Sequence, residues 1–175
     1  MDEEWFRMML IEAHNNQRRH LKRIINGLTS EQIMKVVSPG ERLESILALL
    51  WHIGSAETYW FHKSAHSIGP RFEATDLDIA LKKLDDNTER IAEVVNTCSI
   101  EQLRIIPPSP EGGPSVAWAL LRTFMHGIYH TGQIAKIRRM IGAPELTEED
   151  VDSWSLAIDS VANLIHGFLT DSIQF

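Results

Sequence analysis

Cysteine is almost missing from this chain. Cys98 stands alone, so no internal disulfide can form, and a chain of 175 residues must be held together by its own apolar core. Dense basic runs are missing as well: Arg18-Arg19 and Arg138-Arg139 are short, and the net charge is −7, which argues against a broad surface tracking nucleic-acid phosphates. No uncharged stretch approaches the length of a membrane span, and the acidic start Met1-Asp2-Glu3-Glu4 lacks the basic region of a secretory leader. Together these absences predict a soluble cytoplasmic protein that binds neither nucleic acid nor membrane. Strand-like alternation is absent too, outside one Pro- and Gly-rich stretch.

Helical periodicity fills most of the rest. Phe6, Met9/Leu10, Ala13, Leu21, Ile24/Ile25 and Leu28 form a stripe with an acidic first turn, predicting a helix from about Glu3 to Asn26. A short turn at Thr29-Ser-Glu-Gln32 follows. Ser38-Pro-Gly-Glu41 then reads as a capping box opening a second helix, which runs through Trp51 and Trp60 to Ser67-Ile-Gly-Pro70. Leu77, Ala80/Leu81, Leu84, Ile91 and Val95 mark a third helix, whose charged face from Lys82 to Glu93 is solvated. Residues 105 to 115 read as a loop or short hairpin, and a fourth helix spans about Ser115 to Ile141. Thr147-Glu-Glu-Asp150 caps a last helix with a stripe at Val151, Trp154, Ile158, Val161, Ile165 and Phe168. The fold class is therefore all-α: one helical-bundle domain over 1–175. The last stripe exceeds what four long helices need to close a core, and it predicts a homodimer. A faint internal echo, Ser30-Glu-Gln-Ile and Ile100-Glu-Gln-Leu, precedes the two histidine-bearing helices and hints at two related helix pairs.

His126-Gly-Ile-Tyr-His130 carries the chemistry. Residues four apart on a helix share a face, so two imidazoles converge from a largely apolar segment, where neutral histidines need partners. A metal needs more. His52 lies at a matching depth in the second helix, being twelfth from Glu41 as His126 is twelfth from Ser115, and Ala48, Ser55 and Ala56 leave space around it. Three protein ligands with an open position is the pattern of a catalytic metal centre. The competing reading is three hydrogen-bonded core histidines in a structural helical dimer. His62 and His66, also four apart, fall in the last turn of their helix beside Lys63 and read as surface; His14 is a candidate supporting group. Arg122 and Gln133 continue a polar stripe one turn before His126 and one turn after His130. They are candidate substrate- or cofactor-binding groups, the alternatives being a surface cation and a helix-to-helix hydrogen bond. Gly127 stands where an H-E-x-x-H protease has its glutamate, which excludes that mechanism.

Leu49-Leu-Trp-His52-Ile-Gly-Ser-Ala-Glu57-Thr-Tyr-Trp60, followed by His126-x-x-x-His130-Thr-Gly-Gln133-Ile, resembles the DinB/YfiT-like metalloenzyme family over nearly the whole chain. Thr131 departs from the basic residue usual in relatives, so no anion contact is carried over to that position. The resemblance implies a four-helix bundle of up-down-down-up order with an additional C-terminal helix. It also implies a divalent metal (Zn, Ni, Co or Fe) on His52, His126 and His130, and frequent homodimers. Relatives with assigned chemistry include S-transferases and an isomerase that use low-molecular-weight thiols such as bacillithiol or mycothiol. The resulting expectation is a metal-dependent thiol S-transferase or hydrolase with a small-molecule substrate, the alternative being a noncatalytic metal-binding or stress-response bundle.

Overall fold

The structure is a computed structural model. It describes residues 2–40, 43–71, 73–104 and 113–172, with side chains described throughout these except at 148–152 and 167–172. The described residues form seven helices and no strand: α1 (Glu3–Ile25), α2 (Ser30–Met34), α3 (Ile46–Lys63), α4 (Leu77–Thr97), α5 (Ile100–Arg104), α6 (Val116–Met140) and α7 (Glu148–Ser172). The all-α expectation holds. Two short helices, α2 and α5, are additions to the five expected.

Both short helices begin in the same way. Thr29 Oγ1 accepts from the Gln32 amide while the Gln32 side chain accepts from the Thr29 amide, and Ser99 and Gln102 repeat the exchange. Each capping box satisfies two amide donors that a helix start leaves open. The box read at Ser38-Pro-Gly-Glu41 does not open α3. That helix starts at Ile46, where Ser45 Oγ accepts from the Ala48 amide; Glu41 itself lies outside the described residues. The loop or hairpin read over 105 to 115 also lies outside them as far as residue 112.

Four long helices pack in a ring, α1 against α6, α6 against α3, α3 against α4 and α4 against α1, while α7 lies along α1. Two apolar clusters fill the ring. One gathers Phe6 and Leu10 of α1, Phe61 of α3, Ile91 and Val95 of α4, and Val116 and Leu120 of α6, with Leu103 of α5 at its end. The other gathers Leu21, Ile24 and Ile25 of α1, Ile46 to Ile53 of α3, Ala80 and Leu84 of α4, and Ile134 and Ile137 of α6, with Ile33 of α2 at its end. Between these clusters every long helix of the ring presents polar residues at mid-length: His14, Gln17 and Arg18 from α1, Glu57 from α3, Asn87 from α4, and His130 and Thr131 from α6, all buried. The fold thus interrupts its own core with a polar belt.

The stripe read on the last helix lies on its outer face where side chains are described. Trp154, Ile158 and Ile165 are exposed, and α7 instead buries Ser153, Ala157, Ser160 and Leu164. The small residues let α7 approach α1 closely. Asn16 donates to Ser160 Oγ, and His20 Nδ1 meets Ser153 Oγ at 2.8 Å. Val151 and Phe168 fall where side chains are not described.

Candidate metal centre

The polar belt brings the three predicted histidines together. His52 comes from α3, and His126 and His130 come from successive turns of α6, the helix packed beside it. His126 Nε2 lies 3.1 Å from both His52 Nε2 and His130 Nε2, and one ligand atom from each ring falls within 4.8 Å of the others. A tetrahedral ion about 2.0–2.1 Å from imidazole nitrogens spaces them by roughly 3.4 Å, so the three rings are already near the spacing of a shared metal. The rings meet obliquely or edge to face rather than stacking flat, which leaves their nitrogens pointed at a common centre.

Neighbouring groups prepare that centre. Gln133 Oε1 accepts from His130 Nδ1 at 2.6 Å, which fixes the proton on Nδ1 and leaves Nε2 with a bare lone pair. Gln133 also donates to the Tyr129 hydroxyl, and the Tyr129 ring packs edge-on against His130. Burial, followed by the proximity of His130, His52 and Arg122, pushes His126 down to about 4, and burial lowers His130 as well. Both imidazoles are therefore neutral at physiological pH, the form that donates to a metal. His126 Nδ1 is buried with no hydrogen-bond partner among the described residues. The donor set, its spacing and its protonation all fit a divalent ion.

Behind the histidines lies a cluster that includes His14, the candidate supporting group, and joins it to residues that sequence reasoning did not connect. Glu57 is buried and accepts from Arg18 Nη2 at 2.6 Å and Asn87 Nδ2 at 3.0 Å, with His14 Nε2 at 3.4 Å. Burial alone would raise the carboxyl, but Arg18, then His14 and Asn87, outweigh it and hold it at about 2. The signal was present: His14, Gln17 and Arg18 fill the gap in the α1 stripe between Ala13 and Leu21, on the same helix face. Gln17 fits there because Gly127 has no side chain; a Cβ at 127 would stand 2.6 Å from Gln17 Nε2.

A cavity of about 590 Å³ opens beside His52 and His126, lined by Trp51, Ser55, Ala56, Tyr59, Trp60, Arg71 and Glu73. The small residues expected to make room around His52 do so, since Ser55 and Ala56 lie on its wall. Arg122 stacks over the Trp60 ring at 5.6 Å from its centroid. His62 is exposed and His66 partly so, the latter held by its own chain through Ser64 O at 2.7 Å, and neither approaches the centre.

A helical protein with a three-histidine centre between two of its long helices is the class this geometry defines. The family model that matches, the DinB family, covers residues 3–154, so the chain belongs to the DinB family. Comparisons with curated proteins and with solved structures returned no match.

Proposed function

We propose that this protein is a metal-dependent enzyme acting on a small molecule, a thiol S-transferase or a hydrolase, with the metal held by His52, His126 and His130. The observation that carries the reading is the convergence of three imidazole nitrogens on one point at the edge of a cavity large enough for a substrate. A divalent ion held there would lower the pKa of a thiol or water by units and so supply a nucleophile at neutral pH. Three imidazoles suit Zn, Ni, Co or Fe. Gln133 holds His130 in the ligating tautomer, and the aromatic walls give the substrate an apolar surface beside the histidines. Arg122, on the Trp60 edge, meets the substrate.

The bundle order belongs to the same proposal. Each long helix of the ring is shared between the two apolar clusters, α1 and α6 running from the first to the second, α3 and α4 from the second to the first. That sharing supports an up-down-down-up order with α7 added outside. The exposed Trp154, Ile158 and Ile165 support a homodimer formed through α7. Among the described residues no helix is long and apolar enough to cross a membrane, and the lone Cys98 suits the reducing cytoplasm, where we place the protein.

Metal analysis of protein purified without added metal tests the core of this reading. The expected result is close to one ion per chain, lost in His126→Ala and in His130→Ala while the circular dichroism stays helical, and retained in His62→Ala. Unchanged metal content in both ligand variants would place the site elsewhere. Low-molecular-weight thiols added to the Co(II)-substituted protein should give a sulfur-to-metal charge-transfer band that His52→Ala abolishes. Turnover of a hydrolysable substrate with no such band would select the hydrolase.

A further inference from the structure

The charges around the cavity say what its occupant carries. Four cations of the chain sit against carboxylates: Arg7 with Glu3, Arg18 with Glu57, Lys22 with Asp85 and Lys82 with Asp86. Three beside the cavity sit on aromatic rings instead. Arg71 lies 5.2 Å from the centroid of the Tyr59 ring, Lys63 lies 5.6 Å from the same centroid, and Arg122 covers Trp60. None of the three has a carboxylate partner among the described residues. A guanidinium held over an aromatic ring without a carboxylate partner keeps N–H donors free for an anion. Three unpaired cations on two aromatic rings, in a chain of net charge −7, concentrate positive potential where the bulk of the surface repels anions. Among the described residues of the cavity wall Glu73 and Arg71 are the two charged side chains, and Lys63 and Arg122, on the rings of Tyr59 and Trp60 that line it, tip the balance positive.

The rest of the wall is flat and apolar. Trp51, Tyr59, Trp60 and Ala56 offer ring faces and a methyl group, and the histidine centre lies on the same cavity wall. Resting on the reading of that centre as a small-molecule site, we propose that the substrate is an amphipathic organic acid. Its apolar body packs against Trp51, Tyr59 and Trp60, its carboxylate is bound by Arg71, and Arg122 and Lys63 add to the attraction. The carboxylate thereby holds the molecule at a fixed distance from the histidines, leaving its reactive end to face them.

Isothermal titration with 4-phenylbutyrate and 4-phenylbutanol, which share a body and differ in the acid, tests this on both zinc-loaded and metal-free protein. The acid should bind at least tenfold more tightly than the alcohol. Arg71→Glu and Arg122→Glu should each reduce that preference at least threefold, and Arg71→Lys should keep most of it. Equal affinities, no binding of either compound, or a preference intact in the Arg71→Glu/Arg122→Glu double variant would overturn the proposal. A preference that vanishes only when the metal is removed would also overturn it, assigning the carboxylate to the metal. A preference that persists in a protein taking up no metal, yet fails in Arg71→Glu, would instead sink the metal reading and leave this one standing.

Discussion

Burying the Glu57 carboxylate is costly unless every lone pair finds a donor, and Arg18, Asn87 and His14 supply them. Glu57→Gln keeps the shape but leaves the Arg18 guanidinium buried without a counter-charge, so urea unfolding should show a loss of about 3–5 kcal/mol. Adding Arg18→Met should recover part of it; no loss in the single variant would mean that the pair is not buried as described. A second expectation concerns acid. Burial, with Arg23 nearby, holds His20 at about 4, as burial holds His126, whereas an unfolded histidine titrates near 6.5. The folded state binds fewer protons, so the stability these groups confer is complete above pH ~6.5 and is lost as the pH falls toward 4. Glu57, held at about 2 in the folded state, adds to the loss only at the acid end of that window, where an unfolded glutamate begins to take up its proton near 4.5. Urea midpoints of metal-free protein should therefore fall between pH 7.5 and 4.5, less steeply in His20→Gln; a midpoint rising on acidification would contradict the assignment. At this scale the histidine trio was legible because i, i+4 spacing and matched depth are sequence properties. The Glu57 cluster was legible only through His14, because a charged residue on a core face reads as surface until its partner from another helix is known.

The helix ends carry their own strain and their own history. The α3 terminus closes with the His66 amide on Phe61 O at 3.0 Å and the Ala65 amide on His62 O, which forces Ala65 to φ +64°. That left-handed turn suits glycine and strains a residue with a Cβ. Ala65→Gly should raise stability by about 0.5–1 kcal/mol once the extra freedom of the unfolded chain is subtracted. An unchanged or lowered thermal midpoint would argue against this strain. The long helices were readable from their stripes, and the faint Glu-Gln echo marks two equivalent devices. In each, a capped short helix, α2 or α5, puts one aliphatic side chain, Ile33 or Leu103, at the end of an apolar cluster. The outer stripe of α7 was legible from its large apolar residues, and its packing face was not. The face that packs is made of serine and alanine, whose value lies in how closely they let two backbones approach.

For the whole molecule, the exposed Trp154, Ile158 and Ile165 leave a contiguous apolar strip on the outermost helix, the kind of patch a second copy covers. Sedimentation at micromolar concentration should give twice the 19.9 kDa of one chain, and Trp154→Asp with Ile158→Asp should return the mass of one. A single-chain mass for the unmodified protein would remove the dimer. The seating of α7 has a further bearing on how the molecule opens. Its packing is mainly on α1, through small side chains and two polar contacts, whereas α3 and α6 are locked into the ring that carries the histidines. Deuterium should therefore enter the amides of α7 by a local opening that leaves α3 and α6 closed. If a second copy covers the strip, dilution should speed exchange in α7 alone, so the outermost helix reports association while the histidine-bearing pair stays silent.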